Sequence, residues 1–246
     1  MLFELPDLPI DVQPYQAERL KYFTLKTFNE DLKKYHIKTH SDKALMCLAQ
    51  DELTQNYEVE LYENGNIATR EYNWHDYFNL CIWVNFPKTK AVINSLHYSE
   101  MLSKTQKNRT PTENAMTLFD ENGVVVLSTD KKLLDLIRRH EWKQLFWEHR
   151  EDVLKKMRVL IIGHSLYEKF LNPYIGMTAH TVLWHIDNIN LENNLVDNRL
   201  AQELASKIYS SPKSLQPLPI LGYPGWYEMN ADEAFYDKVN YFRPLR

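Results

Sequence analysis

Val159-Leu-Ile-Ile-Gly-His-Ser-Leu-Tyr-Glu-Lys-Phe-Leu171 decides the fold class. Its first four residues are apolar, too short a run for a free helix, and end at Gly163, so they read as a buried strand. His164 to Leu171 follows with helical spacing and stops before Pro173, a residue that cannot continue a helix. Downstream, Thr178 to Ile186 predicts another strand and Leu195 to Tyr209 a helix. Pro217 to Arg246 predicts a proline- and aromatic-rich wrap with little regular structure.

Upstream, Asp130 is placed to cap a helix running to about Arg139, and Trp142 to Met157 continues on helical spacing. Ala115 to Phe119 and Val124 to Ser128 flank Asp120-Glu121-Asn122-Gly123. That pattern predicts a hairpin with Gly123 free to take positive φ. Trp74 to Leu102 predicts two helices, or one bent helix, broken at Phe86-Pro87. Tyr57, Val59 and Leu61 alternate with Glu58 and Glu60, and Asn64-Gly65 supplies a turn before Ile67 to Arg70, which predicts a second hairpin. From Pro14 to Tyr35, apolar residues at roughly helical spacing predict the first helix. The expected class is α+β: a single compact domain over 1–246 with several helices, short β-hairpins and an irregular C-terminal segment.

Composition agrees with that class. The 246 residues are 44% hydrophobic and 25% charged, with 13% aromatics, which is ordinary for a globular chain with a sizeable core. No repeat or Gly/Ser-rich linker divides it. Met1 to Gln16 carries Glu4, Asp7 and Asp11 without a basic n-region and apolar stretch, so it does not read as a secretory signal. The longest apolar runs fall far short of the roughly 20 residues of a spanning helix. A soluble protein without a membrane partner is expected. Cys47 and Cys81 lie outside any CxxC motif and read as reduced and buried. The net charge of −4 argues against nucleic acid as a partner.

Two polar clusters carry the functional expectation. In Trp74-His-Asp-Tyr-Phe-Asn79, His75 and Asn79 share a helical face with Asp76 beside them. His75 or Asp76 suits a general base and Asn79 a ligand-orienting group. The competing reading makes Asp76 a partner of the helix dipole and His75 a cap. In Gly163-His-Ser-Leu-Tyr-Glu-Lys169, His164 and Glu168 share a face directly after the buried strand. Imidazole and carboxylate are ligands for zinc or iron, and a third ligand from His180 or His185 would complete an open divalent-metal site. His180 is the choice; on a strand it shares a face with Trp184 while His185 points away. The H-E-x-x-H pattern is absent, which favours a hydrogen-bonded His–Glu pair without metal as the competing reading. Asp120 and Glu121 could form a carboxylate pair, but beside Asn122-Gly123 they read as turn residues in contact with solvent. Arg70, Lys90 and Arg109 are candidates for binding a substrate phosphate or carboxylate, with ordinary surface charge as their alternative. No P-loop, dinucleotide fingerprint or G-x-S-x-G element is present.

Taken in order, the following segments form a set: Trp74-His-Asp-Tyr-Phe-Asn79, Phe86-Pro-Lys-Thr-Lys90, Thr117-Leu-Phe-Asp-Glu-Asn-Gly123, Gly163-His-Ser-Leu-Tyr-Glu-Lys169, Leu218-Pro-Ile-Leu-Gly-Tyr-Pro-Gly-Trp226, and Phe235-Tyr-Asp237 with Phe242-Arg-Pro244. Together they resemble the family called Domain of Unknown Function 3025, over most of the chain. The resemblance implies a bacterial, cytoplasmic protein and no particular activity. It also implies an Arg-Asp pair ahead of the Leu118-Phe119-Asp120 segment; this chain departs there, with Glu113-Asn114.

The expected function is a small-molecule enzyme, most specifically a metal-assisted hydrolase, with His75, Asp76 and Asn79 catalytic and His164, Glu168 and His180 holding the metal. The alternative is a non-catalytic ligand- or partner-binding protein in which the same residues form buried hydrogen-bond networks. Oligomeric state stays open.

Overall fold

The structure, a computed structural model, describes residues 3, 5–8, 20–105 and 108–245. Along the chain the elements are α1 (Leu25–Tyr35), β1 (Met46–Leu48), α2 (Tyr57–Asn64), β2 (Asn66–Ala68), α3 (Trp74–Asn85), α4 (Pro87–Ser103) and α5 (Pro111–Asn122). They continue with β3 (Gly123–Ser128), α6 (Lys131–Arg138), α7 (Arg150–Lys156), β4 (Met157–Ile161), α8 (His164–Phe170), β5 (Thr178–His185), α9 (Asn193–Ala205) and β6 (Gln216–Pro219). A π-helical turn at Gln144–Glu148 precedes α7, and three 3₁₀ turns follow β6. The class is α+β.

Four strands form the main sheet in the order β4-β3-β5-β6. β3 runs antiparallel to β4 (Val124 opposite Ile161) and parallel to β5 (Gly123 opposite His180), and β5 pairs antiparallel with β6. β3, the apolar Gly-Val-Val-Val-Leu-Ser, is buried at every position, as a strand covered on both faces must be. A separate parallel pair joins β1 and β2 through Cys47 opposite Ile67. Buried apolar side chains from Phe3 to Phe242 make one contiguous cluster.

The break at Phe86-Pro87 behaves as the sequence predicts. α3 ends at Asn85, and Pro87 opens α4 at its first position, where its missing N–H costs no intrahelical bond. Asp130 caps α6 by accepting from Lys132 N–H at 3.0 Å, and β4 feeds α8 across Gly163. The first-helix expectation is met only from Leu25, where α1 starts behind a Thr24 cap; Leu20–Tyr22 is instead a 3₁₀ turn, and residues 14–19 lie outside the described residues.

Both expected hairpins are absent. Tyr57 to Asn64 is the helix α2: Asn56 accepts from Glu58 N–H at 3.0 Å, and Gly65 closes the helix in the left-handed region at φ 79°. Five alternating residues fit either period, since Tyr57 and Leu61 also lie four apart, and the caps decide for helix. β2 then pairs forward with β1 rather than back on residues 57–61. Ala115 to Phe119 belongs to α5, launched by a reciprocal cap between Thr110 and Glu113 with Pro111 at its first position. Gly123 is not in the left-handed region; its φ is −73°. Close packing demands a glycine there, because a Cβ would sit 2.3 Å from the Phe119 carbonyl oxygen.

Trp142 to Met157 is likewise shorter in helix than its spacing predicts, since Met157 already belongs to β4. The C-terminal wrap contains β6 and is pinned by polar side chains: Asn230 Nδ2 donates to the carbonyls of Leu221 (2.9 Å) and Tyr223 (2.7 Å). Neither cysteine is in a disulfide, and both are buried. Among the described residues, no helix is long and apolar enough to cross a membrane.

Candidate metal-binding site

Three helix ends converge on one point. The first turn of α3 carries His75 and Asp76, with Asn79 one turn on. The last turn of α5 carries Asp120 and Glu121, and the first turn of α8 carries His164 and Ser165. Gly163 permits the approach of α8 to α5: its N–H donates to the Gly123 carbonyl at 2.8 Å, and a Cβ would lie 2.4 Å from Gly123 N and 2.5 Å from Asn122 N.

His75 Nε2 and His164 Nε2 lie 3.0 Å apart, with the rings edge to face at 76°. Glu121 Oε1 is 3.8 Å from His164 Nε2. The ligand atoms of His75, Glu121 and His164 all lie within 4.8 Å of one another. A divalent ion about 2.0–2.1 Å from each nitrogen would require the two nitrogens to be about 2.8–3.0 Å apart for octahedral and about 3.3–3.4 Å for tetrahedral angles. The observed separation fits.

Each ligand has an outer partner. His75 Nδ1 is 3.0 Å from Glu168 Oε2, and Ser165 Oγ donates to Glu121 Oε2, leaving Oε1 toward His164. Asp120 Oδ2 lies 3.7 Å from His164 Nδ1, and Lys90 Nζ pairs with Asp120 Oδ1. Carboxylates behind metal-bound imidazoles fix ring orientation and tautomer in this way.

The proton inventory also points to a cation. Without one, an Nε2–Nε2 hydrogen bond needs a proton on one nitrogen. If His75 Nδ1–H serves Glu168, that proton falls on His164 Nε2, and the buried His164 Nδ1, which has no hydrogen-bond partner, turns a lone pair toward a carboxylate. With a cation between the rings, both Nε2 lone pairs face it and each Nδ1–H faces a carboxylate. Burial pushes the His164 pKa down to about 4 despite Asp120, so its imidazole is neutral at pH 7, the form that binds metal. Burial alone would raise the Asp120 pKa, but Lys90 and His164 more than offset it and hold the group below the usual carboxylate value.

The cluster opens on a cavity of about 640 Å³. Tyr57 and Glu58 of α2 and His97 of α4 line the same cavity. Asn94 Nδ2 donates to the Glu58 carbonyl (3.0 Å) and carboxylate (2.8 Å), and burial raises the Glu58 pKa. Arg70 forks onto Asp76 at 2.9 and 3.0 Å, and Lys104 donates to Glu113 at 2.7 Å. Arg109 Nη1 donates to Thr117 Oγ1 at 3.3 Å, and among the described residues it has no carboxylate partner. Asn79, 9% exposed, lines the cavity with Oδ1 lacking a partner.

Of the residues expected from sequence, His75, Asp76, Asn79, His164, Arg70 and Arg109 meet in this cavity. The expected ligand trio of His164, Glu168 and His180 does not assemble. Glu168 stands behind His75, and His180 lies on β5 opposite Gly123 and outside the cavity lining. Lys90 is turned onto Asp120. Sequence reasoning set Asp120 and Glu121 aside as turn residues and missed Glu58 and His97. A usable signal existed for the acids: the Thr110-Pro-Thr-Glu113 capping box announces α5, and Glu113, Thr117 and Glu121 then fall on one face.

Fold and cluster together define an α+β protein with a His–His–Glu constellation at the floor of a polar cavity. The family model described as protein of unknown function (DUF3025) matches residues 45–246, and the chain belongs to that family. The matched span includes every residue of the cluster. No curated protein and no solved structure matches the chain.

Proposed function

We propose that the protein is a metal-assisted hydrolase of small polar molecules, with a divalent cation held by His75, His164 and Glu121. The carrying observation is the convergence of those three ligand atoms within 4.8 Å at the cavity floor. Two imidazoles and a carboxylate suit Zn²⁺, Fe²⁺ or Mn²⁺ and leave coordination positions open. An ion there would polarise a substrate carbonyl or phosphoryl oxygen and would bring a bound water to a pKa of about 7. Hydrolysis needs only water as co-reactant. Glu168, Ser165 and Asp120 orient the ligands, and Glu58, which lines the same cavity and whose pKa is raised by burial, is the candidate general acid toward the leaving group.

The reading in which these groups form a purely structural network is less well supported. It leaves His164 Nδ1 and Asn79 Oδ1 buried without partners, whereas networks that serve stability are normally satisfied. A small-molecule ligand suits the cavity size. The test is calorimetric titration of the chelator-treated protein with Zn²⁺ and Mn²⁺. One ion per chain, with affinity lost in His164→Ala and Glu121→Ala but kept in His180→Ala, is expected. No binding, or binding indifferent to those ligands, would refute the proposal.

A further inference from the structure

We infer that the substrate is a small organic anion bearing a hydrogen-bond donor, its carboxylate or phosphate held by Arg109 and its N–H or O–H received by Asn79 Oδ1. The inference rests on the metal-hydrolase reading for the reaction, and its binding half can be tested separately.

Charge bookkeeping singles out Arg109. The other cations near the cavity are already paired: Arg70 with Asp76, Lys104 with Glu113, and Lys90 with Asp120. Among the described residues, Arg109 alone of these cations meets only a neutral hydroxyl, that of Thr117, so its planar fork is available for bidentate binding of a carboxylate or phosphate. Position adds to this. Thr117 and Glu121 are four residues apart on α5, about 6 Å along the helix axis, so the hydroxyl that Arg109 meets and the proposed metal ligand lie one turn apart on the same face. A molecule with its anion at Arg109 and its reacting group at the metal therefore spans only a few bonds.

Asn79 supplies the independent observation. It sits one turn along α3 from His75, its side chain hydrogen-bonds the Tyr57 phenol, and its Oδ1 is buried without a donor. A buried acceptor at a cavity wall without a protein donor is satisfied when a ligand brings one. Hydrolysis of such a molecule would add water across a carbonyl C–N or C–O bond, hydroxide going to the carbon and a proton to the leaving nitrogen or oxygen; an ion held by His75, His164 and Glu121 would supply the activated water, and Glu58, in the lining of the same cavity, is the candidate to pass on the proton.

The experiment titrates acetate, N-acetylglycine and inorganic phosphate into wild-type, Arg109→Gln and Asn79→Leu proteins, metal-free and Zn²⁺-loaded, at low salt. N-acetylglycine is expected to bind wild type more tightly than acetate, and the better of the two anion types identifies carboxylate or phosphate as the natural group. Arg109→Gln should weaken all anions at least tenfold, and Asn79→Leu should abolish the advantage of N-acetylglycine over acetate. Melting temperature and Zn²⁺ affinity are followed in parallel. Absence of saturable binding in both metal states, or equal binding by Arg109→Gln, would overturn the inference while normal Zn²⁺ binding left the metal site standing. Anion binding lost with Arg109 in a protein that takes up no Zn²⁺ would have the opposite meaning.

Discussion

Replacing Lys90 with methionine probes the electrostatics that hold the site together. Lys90 is 4% exposed, with its ammonium on Asp120 and 5.7 Å from the centre of the Trp83 ring. Methionine keeps most of the stem and removes the charge, leaving Asp120 as an uncompensated, largely buried carboxylate beside His164. Removing one partner of such a pair costs about 3–5 kcal/mol. Asp120 keeps some solvent contact, with 22% of its side chain exposed, so the lower end, about 3 kcal/mol, is expected. That is a large share of the roughly 5–15 kcal/mol by which folded proteins are stable. Lys90→Met/Asp120→Asn leaves no charge to desolvate and should recover most of the loss. Urea denaturation followed by tryptophan fluorescence reads both variants. A cost below about 1 kcal/mol for Lys90→Met, or a double variant no better than the single one, would refute the reasoning.

Three further outcomes follow from the same geometry. Glu168→Gln should weaken metal binding about 10- to 100-fold without changing the melting temperature, because Glu168 acts on the ion only through His75; competition calorimetry reads this, and unchanged affinity would count against it. Gly163→Ala should destabilise by about 1–3 kcal/mol or more, since the added Cβ meets backbone atoms of Asn122 and Gly123 that cannot step aside; a melting curve superposable on wild type would contradict the close approach. Glu58→Gln should stabilise the protein at pH 7. An acid whose folded pKa lies above its ordinary 4.5 ionises more readily unfolded, so its ionisation opposes folding at neutral pH, and the cost disappears as pH falls below 4.5. A gain that persisted at pH 4 would show a different cause.

Legibility in the sequence followed how locally each element is determined. The Phe86-Pro87 break, the Asp130 cap and the strand of residues 157–161 running into Gly163 are set by neighbours in sequence, and each has its expected counterpart. Residues 57–61 failed because their short alternation fits two periods and the deciding caps, Asn56 and Gly65, flank it. Val124 to Ser128 is the expected strand, but residues 115–122 failed because Asn122-Gly123 has the composition of a turn, although here the glycine answers to close packing against Phe119. That error carried into the site, since acids assigned to a turn were set aside as solvent contacts. His75, Asn79 and His164 were legible as polar residues at helix starts in an aromatic-rich chain. Their meeting with Glu121 was not, because it depends on the packing of α3, α5 and α8 across separations of up to 89 residues in the His75–His164 pair.

The most direct measurement is anomalous diffraction from crystals of the protein grown or soaked with Zn²⁺. One zinc peak between His75 Nε2, His164 Nε2 and a Glu121 carboxylate oxygen, at about 2.0–2.2 Å from each, with Glu168 behind His75, is the predicted result. A peak bound by Glu168 and His180, or no peak at the His75–His164 pair while the two rings stay hydrogen-bonded, would contradict the account.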